Sequence, residues 1–103
     1  MDIFKINERL KIVEDEYNDI CYVINSTDAF ELKLRLSKLS YFCGNECKVV
    51  GIITLNNFNN WYIVRPDTCE FNILLSEYNL VPLFKTKDAE NIWKRLKRAK
   101  RKV

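Results

Sequence analysis

Near the start of the chain, Ile3, Ile6, Leu10, Val13 and Tyr17 recur at spacings of 3, 4, 3 and 4. That is the period of one helix face. It predicts a helix from about Asp2 to Tyr17, with Glu8, Lys11, Glu14 and Asp15 toward solvent. Ile20-Cys21-Tyr22-Val23-Ile24 is short, β-branched and aromatic, so it reads as a strand or a buried linker. Ser26-Thr27-Asp28 supplies N-cap residues, and Asp28 with Glu31 resembles a capping box. The helix they would open carries Leu32, Leu36 and Leu39 on one stripe, widened by Phe30 and Leu34. It stops at Gly44-Asn45, which tolerate a left-handed C-cap.

The second half changes period. The run from Lys48 to Leu55 is a good strand with Gly51 as a candidate bulge. An Asn-rich loop, residues 56–60, separates it from Trp61-Tyr62-Ile63-Val64-Arg65, and the pair reads as a hairpin. Pro66-Asp67 marks a turn. Phe71, Ile73 and Leu75 then alternate with Glu70, Asn72 and Leu74, a half-buried strand. A last strand from about Leu80 to Phe84 contains Pro82, which assigns it to a sheet edge. Thr86 is a good N-cap, Asp88 and Glu90 lie in the following turn, and Lys97, Arg98, Lys100 and Arg101 lie near the C-terminal end. The inward stripe of this helix is read as Ala89, Ile92, Trp93, Leu96 and Ala99. These elements predict an α+β, two-layer, single domain over residues 1–103. N-terminal helices and a closing helix with a basic extension (residues 85–103) would pack on a small, mainly antiparallel sheet of three to five strands.

Composition narrows the class. A chain of 103 residues carries one modest core. It lacks an apolar run near the roughly 20 residues that span a bilayer, and its start has no basic n-region or small-residue cleavage site. A cytoplasmic location without membrane contact is therefore expected. The 11 Asn, 11 Lys and 10 Ile against 3 Ala, 2 Gly and no His are read as the mark of an AT-rich genome. Charge is asymmetric: seven basic residues and no acid lie from Lys94 onward, leaving 10 basic and 14 acidic residues before them, a net of −4.

Catalysis lacks its usual parts. Without histidine there is no imidazole base, triad or imidazole metal ligand, and two glycines cannot build a phosphate-cradling loop. A non-enzymatic protein without a cofactor is expected. Cys43-Gly44-Asn45-Glu46-Cys47 could start a zinc knuckle, but Cys21 and Cys69 are isolated. Buried free thiols are the favoured reading. Glu14, Asp15, Glu16 and Asp19 match no calcium loop, and a solvated surface competes with any binding role.

Two binding surfaces remain. Lys94, Arg95, Lys97, Arg98, Lys100, Arg101 and Lys102 could neutralise phosphates of DNA or RNA, against the plainer reading of a solubilising terminal turn. Phe58, in the Asn-rich loop, could anchor a partner if exposed, whereas one of the pairs Trp61/Ile63 and Tyr62/Val64 belongs in the core.

Trp61-Tyr62-Ile63-Val64, followed by Phe84-Lys85-Thr86-Lys87-Asp88-Ala89-Glu90 leading into the last helix, resembles a loose group of small uncharacterised proteins. These come from phages and mobile elements of low-GC bacteria, and the likeness covers roughly residues 58–96. The resemblance implies provenance, a small phage or mobile-element protein. Together with the net −4 body, this makes an inhibitor of a host defence or nucleic-acid-handling machine, as anti-CRISPR proteins are, the leading expectation. Its partner would be a host protein or ribonucleoprotein, engaged by Glu14, Asp15, Glu16, Asp19 and Phe58 as a nucleic-acid mimic. A small nucleic-acid-binding protein using the basic helix is the alternative, and a structural or oligomeric accessory protein the third.

Overall fold

The structure, a computed structural model, describes residues 4–16, 18–24, 33–55 and 59–101. The first expectation to fail is the N-terminal helix. Glu8-Arg9-Leu10-Lys11-Ile12 also alternates polar with apolar, and that second period is the one realised: Arg9–Ile12 is strand β1. Leu10 and Ile12 are fully buried while Arg9 is exposed. An isolated helix of this length is marginal in water. As a strand, the segment pairs on both sides, antiparallel to β4 (Glu46–Leu55) and to β7 (Leu80–Pro82).

The second expected helix fails similarly. Leu34–Lys38 forms β3, bonded antiparallel to β2 (Ile20–Ile24), and only the 3-10 turn Leu39–Tyr41 follows it. The Asp28/Glu31 capping box, Phe30 and Leu32 lie outside the described residues. The architecture is thus not helices on a small sheet of three to five strands. It is one seven-stranded antiparallel sheet, ordered β3-β2-β6-β5-β4-β1-β7, with β5 at Asn59–Pro66 and β6 at Asn72–Ser76. One C-terminal helix, α1 (Lys87–Arg101), and two 3-10 turns complete the described elements.

The main core lies on one face of the sheet. Register places Cys47 and Val49 of β4 beside Pro66 and Val64 of β5, and Val64 and Tyr62 beside Ile73 and Leu75 of β6. All these side chains are buried, with Cys21 and Leu80. Leu39 and Phe42, brought in by the 3-10 turn, join the same cluster. Gly44 ends that segment at φ +88°, the left-handed conformation expected of it. The turn is stitched to the end of β1, since Gly44 N donates to Ile12 O (2.8 Å) and Ile12 N to Asn45 O (2.9 Å).

The β4–β5 hairpin is as the pattern predicts, with the bulge one residue earlier than Gly51. Val49 pairs with Val64 and Gly51 with Ile63, so Val50 is the extra residue. Gly51 matters for closeness: a Cβ there would lie 3.2 Å from Ile63 Cδ1. Pro82 sits on an edge strand, also as predicted.

Helix α1 begins as the sequence indicates, with Thr86 Oγ1 accepting from Ala89 N at 3.2 Å. It docks through Trp93, whose ring centroid lies 6.4 Å from Phe4 and 6.0 Å from Phe84. Phe4 passes the contact inward, 5.4 Å from the ring of Tyr62, and its N–H donates to Tyr62 Oη at 3.3 Å. The inward stripe, however, is corrected. Ile92 is 50% and Leu96 65% exposed, whereas Trp93 is half-buried and Glu90 buried. At about 100° per residue, Trp93 and Glu90 share one side of the helix and Ile92 lies well round from both. The Phe4–Trp93–Phe84 ring contacts and the ion pair of buried Glu90 with Lys11 together set the helix orientation.

Candidate functional site

The basic half of α1 is helical through Arg101. Its first cation is partly committed to structure. Glu90 is buried under three lysines, with Lys11 Nζ at 2.8 Å, Lys87 Nζ at 3.3 Å and Lys94 Nζ at 4.0 Å. The hydrogen bond from Lys11 is the main cause holding the Glu90 carboxyl below its ordinary range; burial opposes it, and Lys87 and Lys94 assist. Lys94 thus leans back to the body, while Arg95 is exposed. Lys97, Arg98, Lys100 and Arg101 follow on the helical backbone, and Lys102 lies outside the described residues. Leu96 is mostly exposed, so its face of the helix is turned to solvent rather than to the sheet.

Glu14, Asp15 and Glu16 occupy a loop, not the helix expected of them, and Asp19 follows them there. Glu14, Asp15, Glu16 and Asp19 lie between β1 and β2. Glu14, Glu16 and Asp19 are exposed; Asp15 is half-buried in an isolated bridge to Asn18. The loop is held from behind by Asn79, fully buried, whose Nδ2 donates to Val13 O (3.3 Å) and Asn18 O (3.1 Å). Val13 N donates to Asn79 O in return, at 2.9 Å. The four acids therefore lie on a loop braced at Val13 and Asn18. Among the described residues, no group of three or more His, Cys, Asp or Glu is placed to hold a metal ion.

Phe58 lies outside the described residues. Of the two alternating pairs beyond it, Tyr62 and Val64 are the buried one. Trp61 and Ile63 take the opposite face, with Trp61 stacked at 6.3 Å from Tyr22. The thiols behave as core residues: Cys21 and Cys47 are fully buried, Cys43 and Cys69 partly so, and all four are unbridged. Burial pushes the Cys21 thiol up to about 11 and Cys47 up to about 12. Neither is a nucleophile at neutral pH. Beside Cys47, Arg9 grips Asp67 through two bonds, Nη1 to Oδ1 at 2.9 Å and Nη2 to Oδ2. That grip holds the Asp67 carboxyl below its ordinary range.

One feature escaped sequence reasoning. Beside β3 lies a groove of about 550 Å³, walled by Val23, Arg35, Tyr41, Phe42 and Phe71 among others. The alternation Leu34-Arg35-Leu36-Ser37 was the available signal, masked by the leucine count that also suits a helix.

No family model, curated protein or solved structure matches the chain. Among the described residues, no helix is long and apolar enough to cross a membrane.

Proposed function

We propose that the protein is a non-enzymatic binding protein that holds nucleic acid through the basic half of α1. The observation that carries this reading is the exposure of Leu96 on a helix that continues through Arg101. A turn that only complemented the helix dipole could fray, whereas here the helix continues through Arg101 with Leu96 facing solvent. Residues 94–101 cover about 12 Å of helix. Duplex DNA carries one negative charge per about 1.7 Å of axis, so roughly seven phosphate charges lie along the length that carries six cations of this helix. Binding of this kind is sequence-independent and salt-sensitive. The test is fluorescence anisotropy of labelled DNA and RNA duplexes against salt. A chain ending at Trp93 loses binding, and the intact chain shows a slope of about −0.9 in log affinity per phosphate contacted. A flat salt response, or full binding by the shortened chain, overturns the reading.

The braced acidic loop favours a second reading. Here the protein is an anti-CRISPR-like inhibitor of phage or mobile-element origin, the provenance implied by the resemblance in its C-terminal half. Glu14, Glu16 and Asp19 would mimic phosphates and occlude a basic channel of a host protein or ribonucleoprotein. Fixing the loop through Asn79 lowers the ordering cost of such a contact. Nuclease-treated pull-down from bacterial host lysate should recover one dominant partner with the native chain. It should be lost with Glu14→Gln, Glu16→Gln and Asp19→Asn combined. Equal recovery by both chains sinks this reading.

A further inference from the structure

We infer that the free edge of β3 is a docking site for an extended, acidic polypeptide segment that adds to the sheet as an eighth strand. This inference is independent of α1. The seven-stranded sheet has two edges, and they are treated differently. β7 has only three residues, contains Pro82 and is covered by α1, each a known way to close an edge. β3 has five residues and no proline, and among the described residues it bonds only to β2. Among the described residues, its outward N–H and C=O groups have no strand partner, the arrangement that strand addition uses.

The side chains around that edge specify what would pair with it. Leu36 is 62% and Tyr41 70% exposed, both large apolar surfaces left open. The adjoining groove has a floor of Phe42 and Phe71, set edge to face with centroids 6.0 Å apart. It can receive one apolar or aromatic side chain of an incoming strand. Arg35 and Lys38 stand on β3 itself, exposed, and neither has an ion pair among the described residues. Arg35 and Lys38, three residues apart, project from opposite faces of β3, so an incoming strand with carboxylates three positions apart would meet both. A second copy of this chain is the poorer occupant, because pairing β3 with β3 gathers Arg35 and Lys38 from both copies along one seam.

The experiment uses the full chain and a fluorescein-labelled short peptide of glutamate and valine, with two glutamates three positions apart and one phenylalanine between them. A control peptide has the same sequence and charge, but its alternate backbone nitrogens are methylated so that it cannot donate to a strand. Tight anisotropy binding is expected for the first peptide, with amide shifts in the protein's NMR spectrum centred on residues 34–38. Binding should weaken roughly tenfold or more for the methylated peptide, and by a similar factor in the Arg35→Glu, Lys38→Glu variant. A second variant, Arg95→Glu, should bind as the native chain does. Equal binding of the two peptides would mean plain charge attraction to α1 and would overturn the proposal. So would shifts confined to α1, or a dimer in sedimentation that Leu36→Glu disperses.

Discussion

Asn18 and Asn79, 61 positions apart, share a side-chain hydrogen bond of 2.7 Å in which Asn18 Nδ2 donates to Asn79 Oδ1. With its further bonds to Val13 O and Asn18 O, Asn79 uses both its donor and its acceptor inside the protein. This one buried amide ties the acidic loop to the 3-10 turn Glu77–Asn79 that leads into β7. Asn79→Ala should cost about 1–3 kcal/mol, since it leaves buried carbonyl groups without their donor. Urea denaturation reads the loss, and amide exchange across residues 14–19 should accelerate by more than exchange in β5. An unchanged midpoint would show that the loop does not depend on Asn79.

The helix orientation makes a paired prediction. Trp93→Ala removes the contact to Phe4 and Phe84 and should cost about 3 kcal/mol. Leu96→Ala, at a mostly exposed position, should change stability by less than about 0.5 kcal/mol. Thermal unfolding of the two variants checks both. Similar losses for both would restore the inward stripe read from the sequence.

Glu90 gives the stability a direction with pH. Its folded-state carboxyl is held low, chiefly by Lys11, while in the unfolded chain it titrates in the ordinary glutamate range. Between those two points the unfolded chain binds more protons, so stability rises with pH there. The contribution is present above the ordinary glutamate range and is lost as pH falls toward the folded-state value. Glu90→Gln should flatten the acid limb of a stability-versus-pH curve while lowering the plateau near neutrality. An acid limb of unchanged steepness would contradict the Lys11 assignment.

Thiol reactivity should divide by burial. At mildly alkaline pH, a short pulse of iodoacetamide should label Cys69 and Cys43, which are partly exposed. Cys21 and Cys47, fully buried and pushed up to about 11 and about 12, should label only after denaturation. Mass spectrometry of the digested protein reads each site. Early labelling of Cys47 would mean that β4 opens more readily than its packing implies.

Local signals alone determined much of the C-terminal half. The β-branched runs flanking the Asn-rich loop specify the β4–β5 hairpin, Pro82 specifies an edge, and Thr86 specifies the start of α1. Each acts within a few residues of itself, so no distant partner is needed to read it. The charge asymmetry that makes the end of α1 a candidate surface is equally a property of the chain.

Tertiary structure decided the rest, where two periods coexist. Leu10 suits a helical stripe with Ile6 and Val13, and a strand face with Ile12. The choice fell to the strand because β4 and β7 offer backbone partners on both sides of it. Leu34 and Leu36 face the same ambiguity, resolved by pairing with β2. The side of α1 that docks was likewise beyond local reading. Ile92 and Leu96 are as apolar as the residues that pack, but Phe4 and Lys11, distant in the chain, wait for Trp93 and Glu90. That rotation leaves Leu96 exposed, and strand pairing leaves β3, among the described residues, with one unpaired edge.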